Sequence, residues 1–125
     1  MKARRTAELR VIVCALGVAQ IVSWGTLFYS IAVLGPPMAR ELDVSDVALY
    51  GSFTSGLFVS GIVSPWVGRR IDRDGGRGVL AGGSLLGAIA CVLLASAAGT
   101  ATMLAGWLVA GLAMAACLYD PAFAA

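Results

Sequence analysis

The residues of this chain that could do chemistry are concentrated at positions 68–77, in the charged segment Gly-Arg-Arg-Ile-Asp-Arg-Asp-Gly-Gly-Arg. A carboxylate such as Asp72 can anchor a helix N-terminus or a basic side chain. The guanidinium groups of Arg73 and Arg77 can bridge to carboxylates or to helix C-termini. Gly68 has no Cβ and would let a neighbouring helix approach. Together these residues predict an ionic contact between helices.

A second candidate is Asp120, the only ionisable residue within a predicted membrane-spanning segment. A charged group in that setting costs about 2.5–3.5 kcal/mol, so it marks a candidate functional site. Two roles are open for it: an ion pair with Arg73 or Arg77 that supports the charged segment, or proton coupling. Pro121 follows it and should kink the helix at this point.

Polar side chains in the second half of the first apolar segment form a third candidate. They are Gln20, Ser23, Trp24 and Thr26. If these side chains face a water-filled cavity, they could hydrogen-bond a small-molecule substrate. Alternatively, the serine and threonine hydroxyls bond their own backbone, and the aromatic ring marks the membrane interface.

These candidates need elements to position them, and the composition predicts helices that span a membrane. Hydrophobic residues make up 59% of the chain and charged residues 13%, whereas soluble domains have about 45–50% and about 25%. A spanning helix needs ~20 mostly apolar residues. The uncharged runs predict four such helices, at about 11–34, 47–67, 79–97 and 102–125. The predicted fold class is therefore an all-α membrane protein.

Catalytic and metal chemistry find little support in these residues. The chain has no histidine, and the spacing of its three cysteines fits no metal site. No nucleophile–base pair is present in the sequence pattern either. We therefore predict neither an enzyme nor a bound cofactor or metal.

The distribution of lysine and arginine predicts the orientation of the chain. Basic residues are concentrated in the N-terminal tail and in the charged segment, whereas the first connection is mainly acidic and the third is uncharged. The positive-inside rule then places the N-terminus and the charged segment in the cytoplasm, with the chain multi-pass in a bacterial inner membrane. The net charge of +2 results from this bias and gives no indication of nucleic acid.

Small residues recur at every fourth position in the second and third apolar segments, which lets membrane helices approach closely. They include Ser52, Gly56, Ser60 and Ser64 in the second segment, and Gly83 and Gly87 in the third. The pattern predicts either tight static packing or a contact that can slide. In both cases the helices belong to a bundle.

The charged segment resembles the G-x-x-x-D-R-x-G-R-R loop between the second and third membrane helices of the major facilitator superfamily. Five residues match that pattern: Gly68, Asp72, Arg73, Gly75 and Arg77. Gly76 stands where the family usually has arginine, which removes one family contact. The resemblance implies a secondary carrier that works by alternating access. In such a carrier this loop latches the two halves on the cytoplasmic side, with Asp72 as the anion and the two arginines as its cations.

The resemblance also implies that the chain is an N-terminal part of a carrier, four helices of a six-helix bundle. Carriers of this family have about twelve helices in two halves, so we expect the remaining helices as partners and no transport by residues 1–125 alone. A stretch from Trp24 to Leu42 is similar to bacterial relatives of monocarboxylate and oxalate–formate carriers. This similarity implies a small organic anion as the substrate, with a proton as a candidate coupling ion. The alternatives are a self-contained dimeric four-helix multidrug exporter and a non-transport assembly partner.

Overall fold

The structure is a computed structural model that describes the backbone of residues 2–118 and the side chains of residues 5–118. The described chain is almost entirely helical. Its elements are α1 (Lys2–Ser23), a π-helical turn (Trp24–Tyr29), α2 (Ser30–Glu41), α3 (Asp46–Asp74), α4 (Gly76–Ala95) and α5 (Thr100–Cys117). Together α1, the π turn and α2 form one continuous first span. This span, α3, α4 and α5 are each long and apolar enough to cross a membrane, which confirms the predicted all-α fold with four long apolar helices.

The first span is longer than the predicted helix at about 11–34, because it continues through Pro36 and Pro37 to Glu41. Each proline lacks the N–H that would bond the carbonyl four residues earlier. The helix persists because its next turns are packed against α3. A Cβ at Gly35 would lie 3.1 Å from Cδ2 of Leu49, which is fully buried.

The charged segment is not the loop that the sequence predicted, because α3 remains helical through Asp74. Only Gly75 separates α3 from α4, and its φ of 83° is the left-handed conformation that glycine adopts without a Cβ penalty. The Gly75 N–H donates to the carbonyl of Ile71 at 2.8 Å. The chain therefore reverses direction at one residue, and the second glycine, Gly76, already begins α4.

The other two connections have side-chain caps that explain where their helices begin. Ser45 precedes α3, and its hydroxyl accepts the N–H of Ala48 at 3.1 Å. The Thr102 hydroxyl in the first turn of α5 accepts the N–H groups of Ala98 and Gly99, at 3.0 and 3.2 Å. Such caps satisfy backbone donors that have no partner within the helix.

Helix α5 ends earlier than the predicted helix at 102–125. Its last residue is Cys117, and Leu118 is already extended, with φ −86° and ψ 147°. The remainder of that predicted helix, including Asp120, lies outside the described residues.

The core is built around α5, which packs against both α3 and α4. Its buried side chains include Met103, Trp107, Ala110, Ala113 and Met114. Leu27 and Ile31 of the first span, Leu49 of α3 and Ala90 of α4 complete the cluster. The core therefore joins all four spans, and α5 contributes the largest share of it.

Candidate functional site

The charged segment occupies the end of the α3–α4 hairpin. Asp72 and Arg73 lie in the last turn of α3, Arg77 lies in the first turn of α4, and all three side chains are exposed. Gly75 is the turn residue between them. The arrangement places one anion and two cations on the outside of a single tight turn, where a partner outside the described residues can reach them.

The ion pair that is observed in this segment, within residues 5–118, joins Arg70 to Asp74 and involves none of these three side chains. The Arg70 Nε lies 2.7 Å from a carboxylate oxygen of Asp74, one helical turn further along α3. This pair was not among the predicted site residues, although the i, i+4 spacing of an arginine and an aspartate is the signal that predicts such a pair. The pair supports the last turn of α3 and so helps to explain why the segment is helical.

The close helix approach that we expected at Gly68 is absent among the described helices. A Cβ at Gly68 would have no neighbour within 4 Å. The reason is geometric: α3 meets α5 three turns earlier, at Gly56, and Gly68 lies beyond that contact. If Gly68 accommodates a neighbour, that neighbour lies outside residues 2–118.

The contact between α3 and α5 is made by backbone. A Cβ at Gly56 would clash with the carbonyl oxygen of Trp107, and a Cβ at Gly111 would clash with the carbonyl oxygen of Gly56. One turn earlier, Ser52 is buried and donates to the carbonyl of Ala48 at 2.7 Å. Gly56 of the small-residue pattern therefore lies in this contact, and Ser52 is buried one turn away from it.

The later members of that pattern, Ser60 and Ser64, are only half-buried. The Ser64 hydroxyl donates to the carbonyl of Ser60 at 2.7 Å, within α3. The Ser64 hydroxyl is therefore satisfied within its own helix.

The small residues of α4 face α5 as well. A Cβ at Gly83 would lie 2.6 Å from the Sγ of Cys117 and 2.7 Å from the Cβ of Ala116. One turn later, a Cβ at Gly87 would be 3.8 Å from the Cβ of Ala113. As α4 advances, its contacts on α5 move backwards, so the two helices are antiparallel. Gly83 is tightly enclosed, whereas Gly87 has ordinary van der Waals contacts.

The four polar candidates of the first span differ in their surroundings. Gln20 is half-buried, and its side-chain Nε2 donates to the carbonyl of Cys117 at 2.7 Å. That carbonyl belongs to the last residue of α5, and the last carbonyls of a helix have no N–H partner within it. Gln20 therefore supplies a donor that the end of α5 lacks.

The other three candidates have different surroundings. Ser23 and Trp24 are half-buried at the start of the π turn, whereas Thr26 is exposed and donates to the carbonyl of Val22 at 2.7 Å. Thr26 thus conforms to the alternative in which a hydroxyl bonds its own backbone. That these residues line a cavity together with Gln20 stays a prediction.

The π turn explains how the first span keeps one face towards the other helices. Ala39 lies nineteen positions after Gln20. In an uninterrupted α-helix, this spacing would leave Ala39 ~100° away from Gln20 around the helix axis. A π turn takes one additional residue and removes that offset. Gln20, Leu27 and Ala39 are accordingly all half-buried or buried against the bundle.

A chain of aromatic rings connects the first span to α5, and sequence reasoning missed it. Trp24 packs against Phe28 with ring centroids 5.2 Å apart, Phe28 against Phe53 at 5.7 Å, and Phe53 against Trp107 at 5.0 Å. The rings come from three separate helices, so no local spacing could reveal the cluster. The indole N–H of Trp107 is buried and has no acceptor among the described atoms.

The described part of the chain contains no candidate metal site. Across residues 2–118, no three histidine, cysteine or acidic side chains are grouped so that they could hold a metal ion.

Comparison with protein-family models, with curated proteins and with solved structures finds no match to this chain.

Proposed function

We propose that this chain is part of a secondary carrier that moves small solutes across a membrane by alternating access, similar to the major facilitator superfamily. The observation that carries the proposal is the charged segment, which separates two long apolar helices and matches the family pattern at five positions. In the structure this segment is a tight turn whose Asp72, Arg73 and Arg77 side chains are exposed. That exposure is compatible with a latch that binds groups on another part of the carrier.

The packing supports a division of roles within such a carrier. Backbone-to-backbone contact at Gly56 and Gly111 joins α3 to α5, and Gly83 is closely enclosed by the end of α5. Interfaces with no room for a methyl group favour tight packing over sliding. We infer that α3, α4 and α5 move as one body and carry the charged turn with them.

The proposal is tested by uptake into inside-out and right-side-out membrane vesicles that contain the product of the whole gene. Radiolabelled lactate and oxalate are the probes, because the finer resemblance implies a small organic anion. We expect Asp72→Asn to abolish most uptake while leaving expression and alkali-resistant membrane insertion unchanged. The matched control is Asp46→Asn, which removes an exposed acid from the opposite end of α3 and should transport normally.

The other outcomes have distinct meanings. Equal uptake by the Asp72→Asn and wild-type proteins would refute the latch but not the carrier. If neither probe is taken up, an immunoblot against the N-terminal tail separates the remaining candidates. A native band near 12.8 kDa would favour the dimeric four-helix exporter or the assembly partner, and a band several times larger would direct the search to other solutes.

A further inference from the structure

One outward face of α3 changes from apolar to aromatic to cationic along its length. Phe58 and Ile62 are exposed, at 71% and 49%, and Trp66 lies one turn later at 58% exposure. Arg69 and Arg73 continue the same face at helical spacing, and both are exposed. This is the order in which a helix side that leaves a bilayer meets hydrocarbon, interface and headgroups.

The length of α3 is sufficient for this face to reach the headgroups. Its 29 residues extend ~43 Å at 1.5 Å per residue, compared with about 30 Å for the hydrocarbon core and about 40–45 Å for the whole bilayer. Trp66 lies about two turns from the end of α3, and in a bilayer this is the depth where tryptophan rings are enriched. The arginines after it would then lie at the level of the lipid phosphates.

The side chains on this face are already arranged to present positive charge. The guanidinium carbon of Arg69 lies 5.7 Å from the ring centroid of Trp66, a cation–π distance that holds the charge beside the ring. Arg70 lies about 100° around the helix from Arg69, and its side chain is 71% exposed although it pairs with Asp74. Arg77 lies beyond the turn and is exposed as well. Positions 68–77 contain four arginines and two acids, so the segment has a local excess of two positive charges.

We propose that Trp66, Arg69 and Arg73, here named the arginine face, together with the neighbouring Arg70 and Arg77, form a binding site for the phosphate headgroup of anionic phospholipids. Charge complementarity favours this occupant, because clustered basic residues next to a spanning helix attract anionic lipids. Arginine donates several N–H groups in a planar fork that matches phosphate oxygens. The inference rests on the membrane-spanning part of the proposed function and is independent of transport.

The test uses tryptophan quenching by brominated lipids in bilayers of phosphatidylcholine. Brominated phosphatidylglycerol or brominated phosphatidylcholine is added in steps, and the signal of Trp66 is obtained by subtracting the quenching measured in Trp66→Phe. We expect phosphatidylglycerol to quench Trp66 at lower mole fraction than phosphatidylcholine does. In R69Q/R73Q, the preference for phosphatidylglycerol should fall by about fivefold for each arginine removed.

The matched control is R5Q/R10Q, which removes two arginines from the N-terminal tail, on the same predicted side of the membrane. This control should retain the preference. An equal loss in both double variants would overturn the proposal, because it would reduce the effect to general surface charge. Equal quenching of Trp66 by the two lipids would overturn it as well.

Two further measurements keep the result interpretable. R69K/R73K retains the charge that directs insertion, so a protein of normal orientation is available if R69Q/R73Q inserts incorrectly. We expect the lysine variant to keep a preference for phosphatidylglycerol, and complete loss would contradict the proposal. Alkaline extraction of the wild-type protein separates the two claims: an extractable chain refutes membrane spanning and lipid binding together, whereas an inserted chain without lipid preference refutes lipid binding alone.

Discussion

Two apolar helices of this molecule, α5 and the first span, have opposite relations to the rest of the chain. In the most apolar stretch of α5, 56% of the residues are buried, compared with 6% in the first span. Both are long and hydrophobic, so hydrophobicity does not explain the difference. Small residues do: α5 meets glycines of α3 and α4 at backbone distance, which is how helices associate when lipid competes equally for apolar side chains.

The first span is instead held by a few specific contacts spread along its length. Gln20 bonds the end of α5, Phe28 contacts Phe53, and Gly35 packs beside Leu49. The remaining surface includes exposed Ile21 and Val33. The comparison predicts that α3, α4 and α5 form the stable unit, to which the first span is attached more weakly.

The largest expected effect contrasts two tryptophans. Trp107→Ala should destabilise the protein by about 3–5 kcal/mol, because it empties a buried site in the centre of α5. Trp66→Ala should stay within about 0.5 kcal/mol, because its ring is 58% exposed. Stability can be measured as the SDS dependence of alkylation of Cys117, which is 1% exposed, with the exposed Cys14 and Cys91 replaced by serine.

Similar losses in the two tryptophan variants would break the comparison, since they would show that α3 is as tightly packed at its charged end as α5 is at its centre. Alkylation of Cys117 in the absence of SDS provides the baseline. A wild-type protein that is alkylated at once would mean that the end of α5 is not enclosed by Gly83 as the structure shows.

The second effect isolates the α3–α5 contact with a single methyl group. Gly56→Ala should cost about 1–3 kcal/mol, because the new Cβ would meet the Trp107 carbonyl and the helices must separate. Gly61→Ala, on the same helix, has no neighbour within 4 Å and should be neutral or slightly stabilising. If both changes have the same effect, helix propensity and not packing determines the result.

The sequence was sufficient to predict four long apolar helices, because the uncharged runs and their lengths are local properties. The sequence did not predict correctly where the helices end. The run of charges after Gly68 suggested a loop, yet Arg70 and Asp74 pair one turn apart and extend α3 to Gly75. Likewise the first helix was predicted to end at about residue 34, although packing of Gly35 against Leu49 maintains the helix through Pro36.

The candidate sites were less predictable, because their contacts join distant positions. Gln20 and Cys117 are 97 residues apart, so no local spacing could indicate their hydrogen bond. Phe53 and Trp107 meet across two helices. The latch role of Asp72 and the role of Asp120 remain predictions, the latter outside the described residues.

A smaller effect tests how the first span is attached. Gln20→Leu should cost about 0.5–1.5 kcal/mol, because it removes a hydrogen bond and leaves the Cys117 carbonyl without its donor. Thr26→Val is the control, since its hydroxyl bonds the Val22 carbonyl of its own helix. An equal loss in Gln20→Leu and Thr26→Val would contradict this role of Gln20.

The smallest expected effect concerns the ion pair at the charged end of α3, beyond the part of the helix that packs against α5. Asp74→Asn removes the ion pair with Arg70, whose side chains are 71% and 52% exposed, so it should cost only about 0.3–0.5 kcal/mol. Because salt screens exposed charges, the difference between Asp74→Asn and wild type should disappear at high ionic strength, whereas the loss in Trp107→Ala should persist. A salt-resistant loss above that range would mean that the end of α3 is covered by another part of the protein, in which case the weak packing ascribed to this end would be wrong.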